Sequence, residues 1–530
     1  EPMQNLRDLS VLILGLGASG LAMARWCHRH GARVTVADTR DAPPQLAALH
    51  QDCPGAVFMS GPLHAGLVQG QDIRAVFASP GLSPAHTAAV MDAARAIGLW
   101  VGGELDLFAQ ALADLSAQRG YQPKVLAITG TNGKTTTTAL TAQLVARAGR
   151  SVALAGNIGP TLLDTLWQHL QAEAAPLEGE SADTPDQATV PTLPEVWVLE
   201  LSSFQLHGVR GFEPTAATVL NLTQDHLDWH GDMATYGAAK ARIFGSGGLV
   251  LLNRDDPAVM AMQPKPAAKG QAQQPLATFG AQAPQRPGDW GLATLNGMVW
   301  LVRAHEADET RRPRRVSPAA RAEHDEEAMT LQPLMPAEAL RIRGRHNATN
   351  ALAALALAHS AGCAVGPMLH GLREYRGEPH RVEPVGIVNG VEYVDDSKGT
   401  NVGATVAALQ GLGADRRLVL ILGGDGKGQD FQPLAEPVAR FARVVVLIGR
   451  DAALLAQALA GTGVPLHHAE SLQQAVQLAS GAAQMGDAVL LSPACASLDM
   501  FRDYAHRAEV FRAEVQALAE ASGQTLEGAA

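Results

Sequence analysis

An α/β fold in three domains is what this sequence predicts, and three observations predict it. Apolar runs of four to six residues recur along the 530-residue chain, each released into a loop rich in Gly, Ser or charge. Between them lie stretches with apolar residues at helical spacing, the alternation of a parallel sheet covered by helices. The length itself suggests three or four domains as a prior.

The first domain, residues 1–115, opens with the strand Val11-Leu-Ile-Leu14, the turn Gly15-Leu-Gly-Ala-Ser-Gly20 and an apolar-rich helix to about His30. A second strand, Arg33-Val-Thr-Val-Ala37, ends at Asp38. This unit is Rossmann-like: a tight turn, close backbone approach and an acid at the end of the second strand. The pattern fits an NAD enzyme, and equally any βαβ unit that holds a diphosphate at its helix N-terminus. A later strand, Ala75-Val-Phe-Ala78, ends in Ser79-Pro-Gly81, at the strand edge where open α/β sheets bind ligands.

The second domain, 116–376, starts with the stretch around which the chain is organised, Lys124-Val-Leu-Ala-Ile-Thr-Gly-Thr-Asn-Gly-Lys-Thr-Thr136. A strand, a turn of small residues and a helix N-terminus make a phosphate cradle. Glycines let backbone N–H groups close in, the helix dipole favours negative charge, and Lys134 adds a mobile cation. Thr135 stands where the first protein ligand of Mg²⁺ belongs. The loop is shorter than G-x-x-x-x-G-K-[ST], with Ile128 where the first Gly would stand, yet it predicts a P-loop-type ATP-binding domain. The strand Val196-Trp-Val-Leu199 ends in Glu200, a carboxylate placed for a second Mg²⁺ ligand. Ala217 to Asn221 is the next strand and runs into the loop holding Asp225 and His226, followed by a helix carrying Lys240. Gly344 to Asn350 leads into an alanine-rich helix. Residues 171–195, 263–290 and 304–338, polar and without apolar period, are expected to be dispensable surface loops.

The third domain, 377–530, repeats the open-sheet pattern and is again Rossmann-like. Val391-Glu-Tyr-Val394 leads to Asp395-Asp-Ser-Lys-Gly-Thr-Asn401, and Leu418-Val-Leu-Ile-Leu422 to Gly423-Gly-Asp-Gly-Lys427. Ala488-Val-Leu-Leu491 leads to Ser492-Pro-Ala-Cys-Ala-Ser-Leu-Asp499, then a helix through Phe511. A hinge is expected near Arg376-Gly377.

Composition excludes several classes. With 41 basic against 52 acidic residues, a formal charge of −11, the chain lacks the basic surface of a general nucleic-acid binder. No apolar run is long enough for membrane insertion. Four cysteines, Cys27, Cys53, Cys363 and Cys495, lack metal-ligand spacing and read as thiols of a reducing cytoplasm.

T-G-T-N-G-K-T-T, G-N-I-G, E-L-S-S-F-Q-L, N-L-T-Q-D-H-L-D, G-R-H-N-A-T-N, D-D-S-K-G-T-N, G-G-D-G-K and S-P-A-C-A-S-L-D occur here in one order. In this the chain resembles the Mur ligases of peptidoglycan synthesis over about residues 9–515, outside the three polar stretches. The Rossmann-like start, D-S-K-G-T-N and S-P-A-C-A-S-L-D-M-F together point to the D-glutamate-adding branch. The resemblance implies ATP-driven amide formation through an acyl phosphate, joining D-glutamate to UDP-N-acetylmuramoyl-L-alanine. It implies one domain each for the UDP substrate, ATP and the amino acid, in a cytoplasmic enzyme expected to be a monomer.

Residue by residue, Gly130, Thr131, Asn132, Gly133, Lys134, Thr135 and Thr136 match the ATP phosphate site. Asn350, Arg381 and Asp396 match positions near adenosine, and Lys398 one near the phosphates. Two Mg²⁺ ions are implied, held by Thr135, Glu200, His226 and a carbamylated Lys240. An ammonium would repel Mg²⁺, whereas a carbamate is an oxygen ligand. Ala18, Ser19, Asp38, Thr39, Arg40, Ser79 and Gly81 fall on the UDP site, with Asn157 touching the same substrate. Thr400, Lys427, Ser497 and Leu498 match the D-glutamate site, and Tyr504 stands where a phenylalanine is usual. An NAD oxidoreductase, a nucleotide-regulated binding module, another Mur ligase and a folylpolyglutamate synthase-like ligase remain as alternatives at this point.

Overall fold

The computed structural model describes residues 5–43, 45–130, 133–157, 160–174, 193–222, 233–307, 329–342, 345–377, 379–413 and 417–526. They form two compact units, Glu1–Ala337 with Thr349–Leu372, and Glu338–Ala348 with Arg373–Ala530.

The first unit holds two sheets. One is all parallel, in the order β3-β2-β1-β4-β5, with β1 (Ser10–Leu14), β2 (Arg33–Asp38), β3 (Val57–Ser60), β4 (Ala75–Ala78) and β5 (Trp100–Gly102). The winding reverses between β1 and β4, so a crevice opens beyond their C-terminal ends. Helix Glu104–Arg119 closes this domain and stops at Gly120, which takes the left-handed C-cap at φ 68.

The other sheet runs β14-β13-β12-β11-β10-β9-β6-β8-β7. Its members are β6 (Lys124–Thr129), β7 (Val152–Gly156), β8 (Val196–Glu200), β9 (Ala216–Val219), β10 (Leu249–Asn253), β11 (Leu276–Phe279), β12 (Trp290–Leu295), β13 (Met298–Glu306) and β14 (Met329–Pro336). Pairing is parallel from β7 to β12 and antiparallel across β12, β13 and β14. The apolar runs that read as buried strands are buried: every residue of β8 and β9 is, and Trp197 is fully enclosed. One apolar core joins the two sheets through helices Ala18–Arg29, Glu104–Arg119 and Leu162–Ala174. Trp26 meets Trp167 edge-on at 6.4 Å, and Phe108 meets Trp197 at 5.1 Å.

The expectation that 263–290 and 304–338 are loops is corrected here. Leu276–Phe279 is a sheet strand, and β13 and β14 extend through both ends of the second stretch. Proline hid β14: Pro333 and Pro336 sit on an edge strand, where a missing N–H costs no ladder bond, and the register shifts beside them. Residues 175–192 and 308–328 lie outside the described residues.

The second unit is a sheet in the order β15-β16-β20-β17-β18-β19. β15 (Glu383–Val388) and β16 (Val391–Asp395) form a hairpin. β17 (Leu418–Gly423), β18 (Ala442–Ile448), β19 (Leu466–His468) and β20 (Ala488–Leu491) run parallel with β16.

Candidate active site

At the first sheet's edge the glycine turn is required by sterics. Gly15 has φ 87, and a Cβ on Gly20 would stand 1.9 Å from the Gly15 carbonyl oxygen. Asp38 closes the turn from β2. Its Oδ2 accepts the Leu16 N–H at 2.8 Å and Arg40 Nη2 at 2.9 Å, while Oδ1 accepts the Arg40 backbone N–H at 2.9 Å and Nε at 3.0 Å. The Arg40 fork holds the Asp38 carboxyl down at about 2. Four donors fill the four lone-pair sites of the carboxylate, so Asp38 braces the turn and aims Arg40. An NAD enzyme needs that acid open to a ribose diol, which counts against the oxidoreductase reading. Ser79 is buried against Gly15, Ser19 is half-buried, and Thr39 and Gly81 are exposed. These UDP-site candidates therefore share one sheet edge. A cavity of about 210 Å³ continues from Ser79 and Pro80 to Phe204 and Gln205 of the neighbouring sheet.

In the second sheet, β6 lies between β8 and β9, which puts the phosphate loop on an interior strand, flanked by the ends of two others. Gly130 has φ 151 and abuts Leu220; Gly133, at φ 78, precedes helix Lys134–Arg147. Asn350 packs on the loop. A Cβ on Gly133 would meet its Nδ2 at 3.0 Å, and this buried Nδ2 has no hydrogen-bond partner among the described residues. A glycine turn at a helix N-terminus with an unmet donor beside it fits a bound nucleotide.

Glu200 ends β8 opposite Ile128, is buried, and its carbonyl accepts the Asn157 N–H at 2.8 Å. Asn157 itself is exposed. Lys240 is the surprise of this region. Its helix-surface position in sequence becomes a fully buried one, with Nζ donating to Thr129 Oγ1 at 2.9 Å and to the Gly130 carbonyl at 3.1 Å. Thr131, Asn132 and His226, and the side chain of Thr135, lie outside what is described.

In the second unit three loops interlock at one sheet edge. Ala494 N–H donates to the Gly399 carbonyl, and Asp425 and Ala496 exchange backbone bonds. Thr400, Lys427 and Ser497 are thereby carried on mutually bonded loops, and Lys427 holds a left-handed φ of 49. Leu498 is exposed. Tyr504 starts helix Tyr504–Ala521, and its backbone carbonyl accepts Ser397 Oγ–H at 2.6 Å. Asp396 is buried, accepting Ser492 Oγ–H at 2.6 Å and the Val382 N–H at 3.1 Å. Burial pushes its carboxyl up to about 7, with the neighbouring Arg381 pulling weakly the other way. Lys398 N–H is tied to the His380 carbonyl.

Known proteins match throughout. The Mur ligase MurD-like N-terminal domain matches residues 9–102, the Mur ligase middle domain 128–358, and the Mur ligase glutamate ligase domain 380–495. UDP-N-acetylmuramoylalanine–D-glutamate ligase of Albidiferax ferrireducens is 65% identical over 531 residues, covering 100% of both chains. The chain belongs to the Mur ligase family. Enzymes of the same name from Polaromonas sp. and Burkholderia pseudomallei are 54% and 57% identical, covering 99% and 97% of this chain and 100% and 98% of their own.

This Mur ligase also holds residues that sequence reasoning passed over. Glu104 is buried, accepts the Leu162 N–H at 3.1 Å, and is pushed up to about 8 by burial. His380, at φ 65, sets Nδ1 2.9 Å from Asp395. His380, Glu383 and Asp395 have metal-like spacing, but Arg512 stands 2.7 Å from Glu383 and supplies the cation. Arg507 is a fully buried arginine. No helix among the described residues is long and apolar enough to cross a membrane.

Proposed function

We propose that this Mur ligase joins D-glutamate to UDP-N-acetylmuramoyl-L-alanine at the expense of ATP, as a cytoplasmic monomer. The full-length 65% identity to a ligase of that name carries the reading. Arg40 and Ser79 grip the UDP substrate at the first edge, and the cavity from Ser79 toward Phe204 and Gln205 gives its far end room beside helix Ser203–Leu206. Backbone N–H groups at Gly130 to Lys134 and the Lys134 cation hold the ATP phosphates. Asn350, Arg381 and Asp396 take the adenosine.

The alanyl carboxylate attacks the γ-phosphorus and ADP leaves, giving an acyl phosphate. The D-glutamate amine, held through Thr400, Lys427 and Ser497, attacks the acyl carbon. The amide forms, phosphate leaves with the former carboxylate oxygen, and the amine loses a proton. Both steps gather negative charge in one place, which cations and a dry site must offset. Glu200 and Lys240, the latter as a carbamate, would hold Mg²⁺ together with Thr135 and His226, and the ion would supply shielding of phosphate charge. Lys398 is assigned to neutralising the phosphates.

Phosphate release with ATP, UDP-N-acetylmuramoyl-L-alanine and D-glutamate, omitting each in turn, tests the reading. Release should require all three. Release independent of D-glutamate, or none with the full set, overturns it.

A further inference from the structure

Arg507 is among the largest fully buried side chains of the protein, yet no carboxylate among the described residues lies within ion-pair distance of it. Neutral groups satisfy it instead. Nε donates to Ser397 Oγ at 3.0 Å, Nη2 to the Ser397 carbonyl at 2.6 Å, and Nη1 to the Cys495 carbonyl at 3.0 Å. One planar fork thus holds two loops, 395–401 and 492–499, that meet the rest of the sheet through different strands. The position is not chosen for stability. A buried guanidinium with no direct ion pair, its nearby carboxylates Asp499, Asp395 and Asp396 acting only at longer range, is costly, and an apolar side chain would suit a helix face made of Ala508, Phe511, Val515 and Ala519.

Each anchor point lies close to a residue with a proposed task. Ser397 sits between Asp396 and Lys398, and Cys495 two residues before Ser497. The loops also touch directly, through Ala494 N–H to Gly399 and Ser492 Oγ–H to Asp396. Ala494 keeps a left-handed φ of 59 beside the Cys495 anchor, a conformation that persists only when its surroundings enforce it. Burial draws the Arg507 guanidinium down to about 10, so it stays charged at neutral pH.

We infer that Arg507 is a positioning residue for the amino-acid substrate: its fork sets the spacing between the Thr400 loop and the Ser497 loop, and so the width of the site that grips D-glutamate. The inference rests on the D-glutamate reading above. It makes a claim about substrates. D-glutamate spans both loops, so its binding depends on their spacing, while the UDP substrate is gripped on other sheets.

The test is steady-state kinetics of the full-length protein with Arg507→Lys, which keeps the charge and loses the fork. KM for D-glutamate should rise about tenfold or more, with KM for the UDP substrate within about twofold. A merely structural role would lower kcat through a smaller active fraction and leave every KM in place; that outcome overturns the inference. Should Arg507→Lys fail to fold, Ser397→Ala decides. It removes one anchor oxygen and should raise KM for D-glutamate about threefold, and an unchanged KM overturns the inference. A wild-type protein with no D-glutamate-dependent turnover would instead sink the functional reading itself.

Discussion

Two glycine turns at two sheet edges, Gly15–Gly20 and Gly130–Lys134, look alike in sequence and are built differently. The first feeds helix Ala18–Arg29 with no cation of its own in the turn; the nearby charge is Arg40, half-exposed and tied to Asp38. The second opens its helix on Lys134 and has a second amine, Lys240, buried against the loop backbone. The difference separates holding from reacting. A turn with a solvent-facing, carboxylate-tethered arginine grips an anion, whereas a turn that opens on Lys134 and has Glu200 and the Lys240 position buried beside it, where they would hold Mg²⁺, can offset charge that builds during a reaction. Damage to the second turn should therefore appear in kcat, and damage to the first in KM.

The largest effect is expected at Lys134. Lys134→Ala should cut kcat by about a thousandfold or more with unfolding unchanged, since a preorganised cation at the transferring phosphate is lost. Near-wild-type turnover at saturating ATP would erase the contrast. Lys240→Ala should lose about a hundredfold, and added acetate or formate should restore part of it, because the missing group is an oxygen anion. Rescue by small amines instead would show that the bare ammonium is what acts. Asp38→Asn, by contrast, should raise KM for the UDP substrate about tenfold and leave kcat within about threefold, the signature of a lost charge-assisted grip.

Asp38 and Asp396 sharpen the comparison through pH. Both are buried at strand ends, but the Arg40 fork depresses one carboxyl to about 2 and burial raises the other to about 7. Asp38 contributes stability above about pH 4, lost as pH falls toward 2, because there the unfolded chain binds the proton first. Asp396 acts oppositely: from about pH 4 to 7 the unfolded chain gives up a proton that the folded one retains, so stability falls as pH rises. The melting-temperature gap between wild type and Asp38→Asn should therefore shrink toward low pH. Asp396→Asn should gain on wild type between pH 4 and 7. Parallel curves for the two variants would show that partner charge does not separate them. The smallest effect is expected from excising 308–328 between β13 and β14, which should leave turnover within about threefold; cutting into Met329–Pro336 should not be tolerated, since it strips a sheet strand.

Strand existence was legible in sequence because runs such as Val125 to Ile128 and Leu418 to Leu422 are buried on both faces and carry no polar interruption. The turns were legible because the glycines answer to constraints local to the chain: Gly20 would clash with the Gly15 carbonyl, and Gly130 and Gly133 take positive φ. What was illegible depends on distant partners. Asp38 and Asp396 carry the same letter, and only the Arg40 fork on one and the burial of the other tell them apart. β14 was hidden by Pro at an edge that tolerates it, and β11, only four residues long, by the Pro- and Gln-rich sequence before it. Arg507 drew no reading from sequence, although it lies four residues before Phe511 and eight before Val515, on the stripe that is buried. That spacing was the available signal.

The measurement closest to the central claim follows one oxygen atom. UDP-N-acetylmuramoyl-L-alanine labelled with oxygen-18 in its alanyl carboxylate is turned over with ATP and D-glutamate, and the released phosphate is analysed by mass. If the carboxylate attacks the γ-phosphorus and the amine then displaces phosphate, one labelled oxygen reaches phosphate for each amide formed. Phosphate released without label while the amide accumulates would contradict the acyl-phosphate route and the site assignment built on it.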